Sequence, residues 1–567
     1  MFSDRLRLAQ LVVLRVTSAT VRRLNLNPLT RWRLSGPVAD ELLIAPQDLT
    51  TADPTLANDL YAGYFSFGGH TVNCQGISPF DVETSAPDWH AALHSFGWLK
   101  HLRAADTGVA KTQARVLVDD WIRMNGSYNA ATWQVDLTSK RIIAWLCHSP
   151  LLLEGCDHTF YRRFMKSLTR QVRFLRLVAK EAPAGMPRLR VAIALAYAAI
   201  CISGHQSFVK NSMRRLDKEL SGQILPDGGH VSRNPRAILD VMALLLPLRQ
   251  AIIARDVAPG DAMMGAIDRM MPMLRFFRLG DGNFGHFNGM SETPADLLAT
   301  VLAYDDNATE TMLNAPHSGY QRLFAGRTVA LVDCGKLPPQ PVSGDIHAGC
   351  LSFEMSSGTE RIVINCGRPG QNALGPDNAL WLKLARTTAA HSTLSLNEQS
   401  SCRFVQNERV DQLLGTPVLS GPDKVEVNRQ LEEGAATVTA THNGYVRPFG
   451  LKHQRSLSLA VDGTVLTGRD TLLTSRGKPV ESKNKHVFHI RFHLHPLVAA
   501  VSSSSRIVEL KLASGERWLF SCQGVDANVE ESVALSDVFG AKPCLQIVLQ
   551  GLVGEDSVID WAFQRLS

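Results

Sequence analysis

No two of the ten cysteines stand in a Cys-x-x-Cys pair, which argues against a zinc ribbon or a thioredoxin-like redox site. They are Cys74, Cys147, Cys156, Cys201, Cys334, Cys350, Cys366, Cys402, Cys522 and Cys544, scattered along the whole chain. Thiols spread this way read as buried residues of a reducing compartment, since a periplasmic chain usually carries fewer unpaired cysteines. No apolar run reaches the length of a membrane span, and the longest candidate, Val191 to Ile202, reads as a buried helix. Charge of one sign is scarce. The 59 Lys+Arg against 53 Asp+Glu leave only +6, a mild basic excess that favours an acidic ligand. That excess is too small, and motifs too few, to argue for nucleic-acid binding. A convincing export signal is also missing. Residues 4–23 carry Arg5, Arg7, Arg15, Arg22 and Arg23, and Arg15 interrupts the apolar core that a signal peptide needs. This stretch reads as a basic amphipathic helix. Packing on the protein is favoured, with peripheral contact to a membrane surface as the alternative. Cytoplasm and periplasm both stay open.

The 567 residues are too many for one core, and the 45% hydrophobic and 20% charged composition is that of a globular protein. Residues 24–90 are irregular and rich in Pro, Gly and aromatics. From about residue 89 to 304 the pattern is helical. Phe208, Ser212, Leu216 and Leu220 recur every fourth residue, Val191–Ile202 is apolar all round, and Ala237–Ala251 continues with a kink expected at Pro247. Short polar turns such as Pro226-Asp-Gly-Gly229 separate these runs, so they pack as antiparallel hairpins. Such hairpins make a bundle, a solenoid or a toroid, and periodicity leaves all three open. After Tyr320 the pattern alternates, as in Leu351/Phe353/Met355, Arg361–Asn365, Ala436–Thr441 and Val487–Leu494. That predicts an antiparallel β-sandwich, with the boundary near 321–328. The division is a basic N-terminal segment at 1–40, a helical domain at 41–320 and a β-sandwich at 325–567.

Three segments combine His with chemically useful company. In Leu225-Pro-Asp-Gly-Gly-His-Val-Ser-Arg-Asn-Pro235 a turn between helices presents His230, Arg233 and Asn234 together. Asn234-Pro235 equally suits an N-cap with Pro at the first helical position, and the two readings balance. In the second and third segments His347 and His391 each enter a strand, with Asn365 between them in sequence. The two imidazoles suit a metal or a catalytic pair, and a structural hydrogen bond serves either one alone. His489, Arg491, His493 and His495 share one strand face, which reads as a polar sheet face or the wall of an anion-binding groove ahead of a metal site.

In order, Trp133 through Arg141-Ile-Ile-Ala-Trp145, Leu225–His230, His317-Ser-Gly-Tyr320, His347–Glu354, Ala390-His-Ser-Thr-Leu394, His442-Asn-Gly-Tyr445 and His453-Gln-Arg455 make the chain resemble the heparinase II/III-like polysaccharide lyases. The resemblance implies an incomplete α/α toroid followed by an antiparallel β-sandwich. It also implies β-elimination on an acidic, uronate-containing polysaccharide, with no cofactor required. That reaction needs a base for the proton α to the carboxylate, a stabiliser for the enolate-like intermediate and an acid for the leaving oxygen. On this reading His205, His230, Tyr320 and His347 are the catalytic candidates, and Arg233 and Asn234 orient the uronate. His347, His391 and Asn365 fall where some members hold a structural zinc.

The sequence departs from that pattern. Active members place a Tyr about seven residues after the position of His230, where this chain reads Asn234-Pro-Arg-Ala237. A His-x-His-Ala-Asp motif appears as Asp345-Ile-His347-Ala-Gly349, the third metal ligand as Asn365, and a Gly-Asn-His motif as Ser203-Gly-His205. A non-catalytic glycan-binding or envelope-polysaccharide assembly protein on the same scaffold is the alternative. A hydrolase built on Asp227, Asp281 or Glu354 is disfavoured, because these acids lie in unrelated segments.

Overall fold

The computed structural model describes residues 2–26, 31–204, 206–305, 310–370, 378–432, 434–480, 486–537 and 540–566. Its helical part is built from α1 (Phe2–Asn25), α2 (Gly108–Asn125), α3 (Val135–Cys147), α4 (His158–Val178), α5 (Met186–Cys201), α6 (Gln206–Gln223), α7 (Pro235–Ala254) and α8 (Asp261–Phe276), with shorter helices between. Burial sorts them into two layers. Most residues of α3, α5 and α7 are buried, and α5 packs on both of the others. Helices α2, α4, α6 and α8 are amphipathic and lie outside them. This two-layer ring is a helical toroid. Its helices start where sequence chemistry starts them: Thr107 and Asp157 cap α2 and α4 by accepting from Ala110 and Phe160 N–H.

Helix α7 corrects an expectation. Over 20 residues it is long and apolar enough to cross a membrane, yet it is a core helix with most of that stretch buried. Polar Asp240, Arg249 and Gln250 break the apolar run in the sequence, so length and composition together find what a run of letters does not.

The second part is two antiparallel sheets packed face to face. One runs from Asn314–Ala315 through Tyr320–Ala325, Thr328–Asp333, Phe353–Ser357 and Glu360–Ile364 to Val487–Leu494, Lys542–Leu552 and Ala527–Ala534. The other is centred on Leu451–Leu459, Val465–Thr474 and Val558–Arg565. In Leu451–Leu459 alternate residues are buried without exception, as a strand with one core face requires. Phe353 of the first sheet stacks on Trp561 of the second at 5.5 Å, with Phe492 and Phe563 around them. One charged cluster sits in this core. Asp470 accepts from Arg455 Nε (2.8 Å) and Nη2 (2.9 Å) and from Trp561 Nε1 (2.8 Å), while His453 Nε2 lies 2.6 Å away. Arg455 also donates to the carbonyls of Leu351 and Ser392, so it ties both strand-entry segments to the opposite sheet.

The toroid meets the sandwich through two turns. Asp227 Oδ2 accepts from the N–H groups of His317 (2.9 Å) and Ser318 (2.7 Å) and from the Ser318 hydroxyl (2.9 Å). Helix α1 rests on the sandwich and also touches α4 of the toroid. Asp4 pairs with Arg403 and Arg447, and Arg7 and Arg15 donate to the carbonyls of Leu419 and Leu413.

Candidate functional site

The turn before α7 is fixed by its own chemistry. Gly228 takes φ +87, and a Cβ there would meet the Arg269 carbonyl oxygen at 2.0 Å, so only glycine fits. The turn brings His230, Ser232, Arg233 and Asn234 to the domain junction, all of them buried. Every one is engaged. His230 Nε2 donates to Gln223 Oε1 (3.1 Å), and Nδ1 accepts from the Ser232 hydroxyl (2.8 Å) and N–H (3.1 Å). Burial pushes its imidazole down to about 4, so it is neutral. Asn234 caps α7 by accepting from Arg236 N–H (3.0 Å), and its Nδ2 donates to Asp345 Oδ2 (3.2 Å).

Arg233 is committed most heavily. Its guanidinium donates to the carbonyls of Ser318 (2.8 Å) and Gly335 (3.3 Å), pairs with Asp333, and lies over the Tyr320 ring at 4.9 Å. Tyr320 donates to the Arg233 carbonyl (2.6 Å) and accepts from Asn288 Nδ2 (2.6 Å). Burial raises its phenol above the ordinary value, so it stays protonated. These residues, named from sequence as acid, base and uronate clamp, converge on one network, and that network joins the two domains.

His205 lies outside the described residues.

His347 and His391 do meet, with rings edge to face and centroids 5.3 Å apart. His391 Nδ1 donates to the Thr387 carbonyl (2.7 Å), which leaves Nε2 as a buried acceptor without a partner, as is His347 Nδ1. Burial keeps both imidazoles neutral, with His391 down to about 4 and His347 well below its usual range. Asn365 serves elsewhere. It donates to Glu354 through its backbone N–H (3.0 Å) and its Nδ2 (3.2 Å), and its Oδ1 accepts from Ser392 N–H (3.0 Å). Structural zinc needs four imidazole, thiolate or carboxylate donors. Among the described residues no group of three His, Cys, Asp or Glu side chains is placed to hold a metal ion, so the residues present do not fit a zinc site.

Sequence reasoning missed the junction's central members. Asp333 and Asn288 hold Arg233, Tyr320 and the His347 N–H together. Asn288-Gly289 was a readable turn signal, and both residues have positive φ. Asp333 at a strand end gave no signal at all. Glu354 was weighed only as a hydrolase acid. It is fully buried against Arg361 (3.3 Å), His286 N–H (2.8 Å) and Asn365, and burial pushes its carboxyl up to about 7. On the His/Arg strand face, His489 and Arg491 both reach Glu398, a carboxylate nearly a hundred residues away in sequence, as a polar sheet face would.

Residues 307–562 match the family profile "Heparinase II/III-like, C-terminal". They form a heparinase II/III-like domain.

The toroid and the heparinase II/III-like sandwich together match the crystal structure of heparinase III with a TM-score of 0.73 at 14% identity, over 95% of this chain and 89% of that one. Heparan sulfate lyase HepC from Pedobacter heparinus matches at 0.61 and 15%, over 99% and 88%. At such identities the likeness establishes the fold. "FtsZ-localized protein C" of Caulobacter vibrioides is 29% identical over 529 residues, 92% of this chain and 90% of its own.

Within that fold a cavity of about 470 Å³ opens among the inner helices. Lys140 of α3 and Arg190 and Tyr197 of α5 line it, with Lys100, His101 and Trp98 opposite. Lys140 and Arg190 share Asp136, whereas Lys100 has no carboxylate ion pair among the described residues.

Proposed function

We propose that this chain binds an acidic polysaccharide on a lyase scaffold without cleaving it. The observation that carries the reading is the commitment of His230, Arg233, Asn234 and Tyr320 to the domain junction. A general base must be able to reach the carbon acid, and a clamp must have donors to spare. His230 has both nitrogens bonded, Tyr320 is buried and bonded to backbone, and Arg233 is spent on Asp333 and two carbonyls. The glycan's seat is the toroid cavity, where Lys100, Lys140 and Arg190 favour carboxylates and Phe67 and Trp98 offer flat apolar faces. The Caulobacter relative is named for its localisation with FtsZ, and its likeness supports a place for this chain beside the same partner, in assembly of envelope polysaccharide. Ten free thiols support a reducing compartment. Helix α1 supports peripheral membrane contact: Leu6, Val13, Leu14, Val16, Val21 and Leu24 are each 47–62% exposed while its polar residues bond to the sandwich.

β-Elimination is the second reading, and His347 with His391 supports it. Neutral imidazoles with free nitrogens are bases. One experiment separates the two. Incubate the protein with a panel of uronate glycans, follow ultraviolet absorbance for unsaturated product, and measure binding on the same samples. Binding without product is expected. Product formation that disappears in His347→Ala would overturn the non-catalytic reading.

A further inference from the structure

The outer surface of the toroid carries a second concavity on the far side of α5 from the central cavity. It is a groove of about 680 Å³ between α4 and α6. Helix periodicity explains how one helix serves both. Arg190 and Tyr197, seven residues apart, face the central cavity, whereas Arg188, Val191 and Leu195 face the groove.

Its walls are cationic. Arg176 of α4 and Lys180 just beyond it stand on one side, Arg214, Arg215 and Lys218 of α6 on the other, and Arg188 at the end. Helix α4 contains Arg162, Arg163, Lys166, Arg170, Arg173 and Arg176 and no acidic residue. None of the six groove cations has a carboxylate ion pair among the described residues. Arg188 is turned to the Ala182 carbonyl. The groove's one acid, Glu219, accepts from Gln223 (2.9 Å), and Asp217 on the same helix points at Gly260 at the head of α8. Like charges gathered in a concavity repel one another and focus a positive field, so the folded chain carries a standing cost here that a bound anion would relieve.

We infer that this groove is a second, non-catalytic binding site for an acidic glycan chain. The inference rests on the glycan-binding reading above and adds a site to it. Three features favour a sugar over other anions. Ser207 and Asn211 supply hydroxyl partners along the rim. Val191 and Leu195 make an apolar floor. Phe208 presents its ring, with the Arg176 guanidinium 4.8 Å from its centre. Arg176 and Lys180, like Arg214 and Lys218, are four residues apart, so each wall repeats its charge at roughly 6 Å. A chain with an acid on each repeat could engage both pairs. Two sites on opposite faces of one helix would let a single long glycan, or two strands of it, gain avidity.

The test uses the full chain and a fluorescent heparin-derived oligosaccharide, with binding read by polarisation at several salt concentrations. Neutral dextran oligosaccharide and polyglutamate are run beside it. The groove variant is Arg214→Glu/Lys218→Glu, and the charge-matched control is Lys424→Glu/Lys511→Glu on the sandwich. Circular dichroism checks folding, and Arg214→Ala/Lys218→Ala provides a milder second variant. The groove variant is expected to bind about tenfold more weakly and with a shallower salt dependence, while the control binds as the parent does. Equal binding by parent and both groove variants would overturn the groove and leave the glycan-binding reading standing. If no acidic glycan binds the parent at all, both fall. Groove-dependent binding of polyglutamate without binding of the oligosaccharide would overturn the glycan assignment in favour of an acidic protein segment.

Discussion

Lowering the pH should destabilise this protein well before its carboxylates titrate, and His230 shows why. In the folded chain burial holds its imidazole at about 4 against 6.5 when unfolded. The unfolded chain therefore takes up the proton first. Stability from this group is complete above pH ~6.5 and is lost as the pH falls toward 4. At pH 5.5 the loss is about 1.4 kcal/mol, at pH 4 it is about 3.0 kcal/mol, and it levels off at about 3.4 kcal/mol below that. His391 is held at about 4 and His94 and His493 at about 3, in each case with burial as the largest cause. Together the four cost about 6 kcal/mol at pH 5.5, a large share of the ~5–15 kcal/mol that folds a domain. The assay is urea unfolding followed by tryptophan fluorescence at pH 7.5, 6.5 and 5.5, for the parent and for His230→Asn. The variant should be the less stable protein at pH 7.5, where the parent's hydrogen bonds to Gln223 and Ser232 count in full. Its deficit should shrink by about 1.4 kcal/mol at pH 5.5, because asparagine has no proton to gain. A deficit that stays constant within ~0.5 kcal/mol would show that His230 is not held neutral by burial, and the reasoning would fail.

Asp333→Ala removes the carboxylate opposite a buried guanidinium and should cost about 3–5 kcal/mol in the same unfolding assay. Gly319→Ala should also destabilise, by more than ~1 kcal/mol, because Gly319 sits at φ +75 and an added Cβ would lie 2.2 Å from the Gly335 Cα. Dialysis against zinc followed by metal analysis should find less than one equivalent bound, and stoichiometric zinc lost in His347→Ala would contradict the donor set described above. A thiol reagent under native conditions should label Cys156 first, since the other nine cysteines are buried. Fast labelling of Cys350 or Cys402 would reveal a junction far looser than its hydrogen bonds imply.

The fold was legible because its signals are local. Four-residue apolar spacing in α6, the all-apolar α5 and the strict alternation of Leu451–Leu459 each state their own environment. The N-cap at Asn234 could be read for the same reason. The site was legible only as a set of residue types. A histidine after a Gly-Gly turn looks the same on paper whether its second nitrogen faces solvent or Gln223. The difference is made by α6 ending beside it, and the partners that decide Arg233 and Tyr320, namely Asp333 and Asn288, lie 100 residues and 32 residues away respectively. His489 and Glu398 make the same point on the sandwich, where a strand face of His and Arg borrows a carboxylate from a distant segment.

Why the polar residues at the junction became fasteners can be argued from Arg233 itself. It is not glycine, yet its φ is +63, a conformation that costs an L-residue about 1–2 kcal/mol. Such strain persists only where surrounding contacts over-determine the backbone. Here they do. The Arg233 carbonyl accepts from Tyr320, its N–H bonds to the His230 carbonyl, and its side chain reaches Ser318, Gly335 and Asp333. A turn held from five directions is preformed and stiff. It cannot also swing a base onto a substrate, and any substrate carboxylate would have to displace Asp333 from a buried pair. On the proposed non-catalytic reading, one missing tyrosine is not the whole difference. The position seven residues after His230 is Ala237, which is buried in the first turn of α7 at 4% exposure. A phenol there would have to displace packed neighbours, at a cost of about 1–3 kcal/mol, before it could meet any ligand. Catalysis at this turn would therefore need the junction rebuilt, whereas binding in the toroid needs nothing from it.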